Sequence, residues 1–197
     1  MRIVIQEFIS LDGVVQAPGG PKEDTDGGFR HGGWSGPFFD PEVMGSEIGA
    51  ALERAEALLQ GGRTWRVMAS AWPGRAGDPF ADHMNSIPKY VVSDTVTDDE
   101  LATWSPTERI PVADLATRVA ALREQPGGEI NVMGSPSVVR GLLAADLVDE
   151  LFLMIEPIVL GGGKSIWSDD GVAKTFELTS VATTATGVQV SRYQRAR

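Results

Sequence analysis

The 197 residues contain no cysteine. That excludes disulfides, thiolate metal sites and a cysteine nucleophile. It leaves the compartment open, and a cytoplasmic enzyme is compatible with it. Histidine is nearly as scarce. His31 and His83 are the only two, and neither stands at ligand spacing, so no protein-bound metal is expected. Positive charge is not in excess either. A formal net charge of −10 argues against general binding to nucleic acid or an anionic membrane surface. It still permits a local pocket for an anionic ligand. No apolar run approaches the roughly 20 residues that a membrane-spanning helix requires. Arg2 is followed by only a few apolar residues before Gln6 and Glu7, which is not a signal-peptide pattern. Without a linker, repeat or charge block, residues 1–197 read as one domain, long enough to bury a core without staples.

What is present is alternating strand and helix signal. Ile3–Ile9 is rich in β-branched residues and reads as a first strand. Further strands are expected at Ala57–Leu59, Lys89–Ser93, Ile130–Met133 and Leu151–Ile155, and helices at about 40–55, from Arg63 and over 114–123. Asp40-Pro41-Glu42 is a helix-start pattern, and Asp114 is placed to cap the helix it precedes. Residues 80–87 read as a short connecting element. Asp98–Pro111 is acidic and broken by proline, and reads as surface. The last two runs, 176–183 and 187–194, alternate and predict an antiparallel hairpin. The expected fold class is therefore α/β: a three-layer αβα arrangement whose central mixed sheet is mostly parallel, with an antiparallel C-terminal edge hairpin.

Two junctions carry chemistry. In the first, the Ile130–Met133 strand stops at Gly134, Ser135 stands where an N-cap belongs, and Pro136 takes the first helical position. Val138, Val139, Leu142 and Leu143 then recur at helical spacing. In the second, Leu58-Leu59-Gln60 runs into Gly61-Gly62 and a helix opening Arg63-Thr64-Trp65. A glycine followed by the unpaired N–H groups of a first helical turn suits a phosphate, and Arg63 adds a cation. Each junction alone reads equally as turn chemistry. The pair points to a phosphate-bearing ligand spanning both. Upstream of both in sequence, after the first strand, lies a glycine- and proline-rich loop, Ala17–Pro37, flanked by or holding Phe29, His31, Trp34, Phe38 and Phe39. Disordered segments are poor in aromatics, so this loop is expected to pack over something.

In order and spacing, Ser10-Leu11-Asp12-Gly13, Leu58–Trp65, Lys89–Ser93, Val132–Ser135, Leu147–Leu151 and Pro157–Lys164 resemble the reductase domain at the C-terminus of bifunctional riboflavin-biosynthesis deaminase–reductases, itself dihydrofolate-reductase-like. The resemblance covers nearly the whole chain. No deaminase domain accompanies it, since that zinc site would need cysteines. The resemblance implies NADPH as cofactor. Gly62, Arg63 and Thr64 would lie at its phosphates, with Ser93 and Thr95 near the adenosine 2′-phosphate. Gly134, Ser135, Ser137 and Val138 would lie on the pyrophosphate side, and Leu11, Asp12 and Val14 near the nicotinamide. A homodimer formed through the sheet is compatible with it.

Reducing a carbonyl or imine also needs a proton donor. Two carboxylates are candidates. Asp12 reads as a strand-end turn residue or as a catalytic group beside the nicotinamide. Asp40 reads as a helix cap or as a catalytic acid one residue beyond the dihydrofolate-reductase pattern Trp-x-x-Pro-x-Asp, begun here at Trp34. That shift puts folate reduction in doubt. Trp34, Phe38 and Phe39 read as substrate-stacking rings or as loop packing. His31 reads as a surface side chain, and Trp72 and Trp167 as core or rim. Lys22, Arg30 and Lys164 are the cations available for a ribose phosphate, which is weak support for the riboflavin intermediate. The leading expectation is an NADPH-dependent reductase of a small heterocyclic or carbonyl substrate, resembling the aminouracil ribosylamine reductase. Dihydrofolate reduction, a nucleotide-binding protein without turnover and a dimeric scaffold are the alternatives.

Overall fold

A computed structural model describes residues 1–75 and 77–196. Eight strands form one sheet: β1 Arg2–Ser10, β2 Ala55–Gly61, β3 Lys89–Val92, β4 Thr107–Ile110, β5 Glu129–Met133, β6 Glu150–Glu156, β7 Phe176–Thr183 and β8 Gln189–Arg195. Their order is β4-β3-β2-β5-β1-β6-β8-β7. The first six are parallel, and β8 runs antiparallel to both β6 and β7. The mixed sheet with its C-terminal edge hairpin is as expected. Both neighbours of β1 are parallel to it, with Ile5 opposite Val132 on one side and Leu151 on the other. Such a strand is covered on both faces, which is why Ile3, Val4 and Ile5 form an unbroken apolar run, all fully buried.

Helices α1 Met44–Arg54, α2 Gly62–Ala71 and α3 Pro79–Ser86 lie on one face, and α5 Leu115–Arg123 and α6 Pro136–Ala144 on the other; α4 is the short Asp98–Ala102. Strand alternation assigns the faces. Ile3, Ile5, Leu59, Ile130 and Val132 meet Val119 and Leu122 of α5 and Val139 and Leu142 of α6. Val4, Leu58 and Val91 point the other way, toward Met44 and Leu52 of α1 and Trp65 of α2. Each such large apolar side chain contributes about 1.5–3 kcal/mol by leaving water. The result is a three-layer α/β fold.

Four local expectations need correction. Residues 98–111 are not merely surface. Thr97 and Glu100 close a capping box that opens α4, and β4 pairs in parallel with β3. The β4 sequence Thr-Glu-Arg-Ile buries only its isoleucine, so an edge strand carries no apolar run to detect. The connecting element at 80–87 is a full helix, α3, capped by Asp78. Asp114 makes no capping bond, because a single 3-10 turn over Val112–Asp114 leads into α5. Ser135 does not cap α6, for the reason given below.

The loop after β1 folds back over the C-terminal ends of the strands. Trp34 is buried against Val14 and Leu160, and its indole N–H donates to the Gln16 carbonyl at 2.8 Å. The Ser35 hydroxyl donates to Glu156 Oε1 at 2.7 Å. The expectation that this aromatic-bearing loop packs onto the sheet holds. No helix among the described residues is long and apolar enough to cross a membrane.

Candidate functional site

Because β1, β2 and β5 run in the same direction, their C-terminal ends open onto one side of the sheet. Helices α2 and α6 start there. At the second start Ser135 has φ of 70°, the left-handed region. That geometry turns its side chain away from its own helix. Its Oγ accepts from the Gly61 N–H at 2.6 Å and donates to Thr64 Oγ1 at 2.9 Å. One serine thus ties the two junctions together. Close approach explains the glycines: a Cβ on Gly61 would stand 3.1 Å from Ser135 Oγ, and one on Gly62 2.8 Å from Ser93 Oγ. Gly134 has φ of +61°, and its missing Cβ faces Thr64. No side chain caps α2 or α6, so first-turn N–H groups remain available at both starts.

Above these ends lies a cleft of about 310 Å³ whose lining includes Gln6, Glu7, Gln16, Arg63, Thr64 and Ser135. A neighbouring hollow of about 510 Å³, lined by Gly161–Lys164, shares Gln16 with it. Arg63 lines the cleft, but its guanidinium is engaged. It pairs with Asp24, and with Asp26 at 2.7 Å. Lys164 joins the same two aspartates at 2.6 and 2.7 Å. Hydrogen bonds from Lys164 and Arg63 hold the Asp26 carboxyl below the usual carboxylate range. This four-membered cluster latches the loop across the cleft.

The two carboxylates of the candidate catalytic pair lie outside the cleft lining. Asp12 accepts from Ser10 Oγ at 2.6 Å, from the Leu160 N–H at 3.1 Å and from the Gly161 N–H at 2.7 Å. The Ser10 bond, with those amides, holds its carboxyl below the ordinary value. Asp12 is thus an ionised clamp between the β1 exit and the 160–163 turn, a poor proton donor at neutral pH. Asp40 accepts from the Glu42 and Val43 N–H groups at 3.0 and 2.9 Å, closing the turn that leads into α1. Of the three aromatics, Phe39 lines the cleft. Trp34 packs beneath the loop, and Phe38 packs with Met44 and Phe152.

The cofactor positions divide in the same way. Thr64, Arg63, Gly134 and Ser135 line the cleft, with Gly62 at the α2 start beside them. Val14 and Val138 are core residues, whereas Leu11, Ser137 and Thr95 are exposed. Ser93 Oγ accepts from the Thr95 and Val96 N–H groups, each at 3.1 Å, so it closes the β3 exit turn.

Glu7 was not among the residues the sequence singled out. It is 2% exposed and lines the cleft, and its Oε1 has no hydrogen-bond partner. Burial pushes its carboxyl well above the ordinary range, and Glu23 adds in the same direction. The available signal was its position: Glu7 occupies the alternation of Ile3, Ile5 and Ile9 that faces the α5–α6 layer. Gln6, on the opposite face, accepts from Asn131 Nδ2 at 2.9 Å. Glu156, also missed, lies under the loop; burial raises its carboxyl to about 7. No cluster of three metal-ligating side chains occurs among the described residues.

The parallel sheet, the paired helix starts and the covered cleft are those of a three-layer α/β protein with a candidate site at its strand ends. The chain belongs to the RibD C-terminal domain family, whose model matches residues 2–190. The uncharacterized protein YyaP of Bacillus subtilis (strain 168) is 24% identical over 193 residues, covering 95% of this chain and 91% of that one. Among solved structures, a protein of Shewanella sp. PV-4 assigned to riboflavin biosynthesis superposes with a TM-score of 0.71 at 20% identity, each chain covered in full. A pyrimidine reductase-like protein of Corynebacterium diphtheriae gives 0.62 at 17%, with 100% of this chain and 92% of that one covered. The deaminase/5-amino-6-(5-phosphoribosylamino)uracil reductase of Thermotoga maritima gives 0.64 at 13%, covering 99% of this chain and 56% of the longer one. These structural likenesses establish the fold.

Proposed function

We propose that the chain is a single reductase domain that binds NADPH and reduces a small heterocyclic or carbonyl substrate, with a 5-amino-6-(5-phosphoribosylamino)uracil-like compound as the first to test. One observation carries the reading: Ser135 joins two uncapped helix starts into a single anion-receptive ledge beside Arg63 and Thr64. The first-turn N–H groups of α2 and α6 would take the phosphates, with the helix dipoles favouring negative charge there. Arg63 would exchange Asp24 and Asp26 for phosphate oxygens, a charge-assisted fork that suits either partner. When bound, the dinucleotide supplies hydride. The chain's part is to orient the ring, cover it with the Ala17–Pro37 loop and exclude water. Phe39, at the cleft wall, would stack on a planar substrate.

A second reading, nucleotide binding without turnover, is favoured by Asp12 and Asp40, both of which are tied to backbone amides. The two readings part in one experiment. NADPH oxidation is followed with the aminouracil substrate and a panel of carbonyl and heterocyclic compounds after binding has been established. Turnover of any member supports the reductase. Binding with no turnover leaves the second reading, and no binding removes both.

A further inference from the structure

Among the carboxyls lining the cleft, Glu7 differs from the rest. Glu23 is exposed enough to serve its own loop, accepting from the Gly19 and Gly20 N–H groups. Asp24 is paired with Arg63 and Lys164. Glu7 sits on the central strand, one residue past the last β1–β5 pair and opposite Leu153 of β6. No cation among the described residues pairs with it: Arg63, the cleft's guanidinium, is held by Asp24 and Asp26. The charged groups that share the cleft with Glu7 are thus Glu23, Asp24 and Arg63. Gln6, Gln16, Thr64 and Ser135 supply polar but uncharged surface. A buried carboxylate without a counter-ion or donors costs several kcal/mol, which the group avoids by keeping its proton. A core position could have held isoleucine, as positions 3, 5 and 9 do. An acid there, with one oxygen buried and unpartnered beside a ligand-sized cleft, is suited to donating to a ligand rather than to holding the fold.

Resting on the reductase reading above, we propose that Glu7 is the proton donor of this cleft, meeting the uncharged C=N or C=O group of the substrate as a neutral carboxylic acid. The substrate carbon gains a hydride from the reduced nicotinamide, and the substrate nitrogen or oxygen gains the Glu7 proton. The double bond becomes single, Glu7 is left as carboxylate, and water restores its proton before the next turnover. Two electrons pass from cofactor to substrate as the hydride, so each turnover consumes one substrate, one NADPH and one solvent proton and releases NADP⁺. A neutral acid also sets the substrate class. It donates to an imine or carbonyl acceptor, and it would repel an anionic group once ionised.

The test uses Glu7→Gln, which keeps shape and neutrality but cannot give up a proton, with Glu156→Gln as the control for the other raised carboxyl. Infrared spectra of the full chain should show a protonated carboxyl at neutral pH that is absent from Glu7→Gln and moves when NADP⁺ fills the cleft. For any compound the protein turns over, Glu7→Gln should lower kcat about 10²–10⁴-fold and leave NADPH affinity within about twofold. A Glu7 ionised at neutral pH overturns the proposal, as does a band indifferent to NADP⁺ or an unchanged kcat. A protonated Glu7 in a protein that binds no NADP⁺ defeats the reductase reading itself, and the donor role falls with it.

Discussion

The ledge formed by the two helix starts and the loop that covers it are built by different means. The ledge is a product of regular structure. Parallel strands end together, glycines allow the ends to approach, and Ser135 links them at 2.6 and 2.9 Å. The loop is closed at its base by backbone bonds such as Gly33 N–H to the Ala17 carbonyl and by Trp34 on Gln16, and it is tied to the rest of the chain by single side chains: Ser35 to Glu156, and Asp24 and Asp26 to Arg63 and Lys164. The proposed binding surface therefore comes from the scaffold, and the loop over it is tied down by a handful of polar contacts.

The comparison breaks most sharply at Trp34. Replacing it with alanine removes the loop's buried anchor and should cost about 3–5 kcal/mol by urea unfolding, with early proteolysis confined to 17–37. A full-size stability loss without faster loop cleavage would show that the loop is not separately held. Next is Glu156. Its folded value, about 7, lies above the ordinary 4.5, so the folded state holds the extra proton between those pH values. Stability should be greatest on the acid side and fall as pH rises through about 7, at up to about 1.4 kcal/mol per pH unit. Glu7 adds to the same slope. Glu156→Gln should flatten the curve, and an unaltered curve would assign the slope elsewhere. Asp12→Asn should cost less, about 1–2 kcal/mol, since its bonds to Leu160 and Gly161 lie at an exposed position. It should leave the pH profile of turnover in place; a lost alkaline limb would return Asp12 to the chemistry. The smallest stability effect belongs to Asp26→Asn, whose carboxyl is half exposed and whose loss should scarcely move the unfolding midpoint. It should tighten NADPH several-fold by loosening the hold on Arg63, whereas weakened binding would show that the latch helps to form the site.

The ledge was legible because its signals are local and periodic. Short apolar runs placed β1, β2 and β5, helical spacing placed α6, and a glycine closed each strand that opens a phosphate-type turn. The edge strand β4 was not legible, because Thr107, Glu108 and Arg109 need bury nothing. Roles set by distant partners were hidden as well. Asp12 reads as a turn residue or an acid until Leu160 and Gly161 are seen to fill it. Ser135 reads as an N-cap until its left-handed φ delivers it to Gly61. Glu7 was legible as an anomaly, an acid in an isoleucine alternation, but only the fold shows that no donor or cation among the described residues answers its Oε1.

The central claim is that the two helix starts form one dinucleotide site. Titration of the purified protein with NADPH, followed by fluorescence and thermal shift, tests it most directly, with Arg63→Ala and Ser135→Ala beside the wild type. The account predicts saturable binding that each substitution weakens by about tenfold or more, about 1.4 kcal/mol. No binding at millimolar NADPH, or binding indifferent to both substitutions, would contradict it.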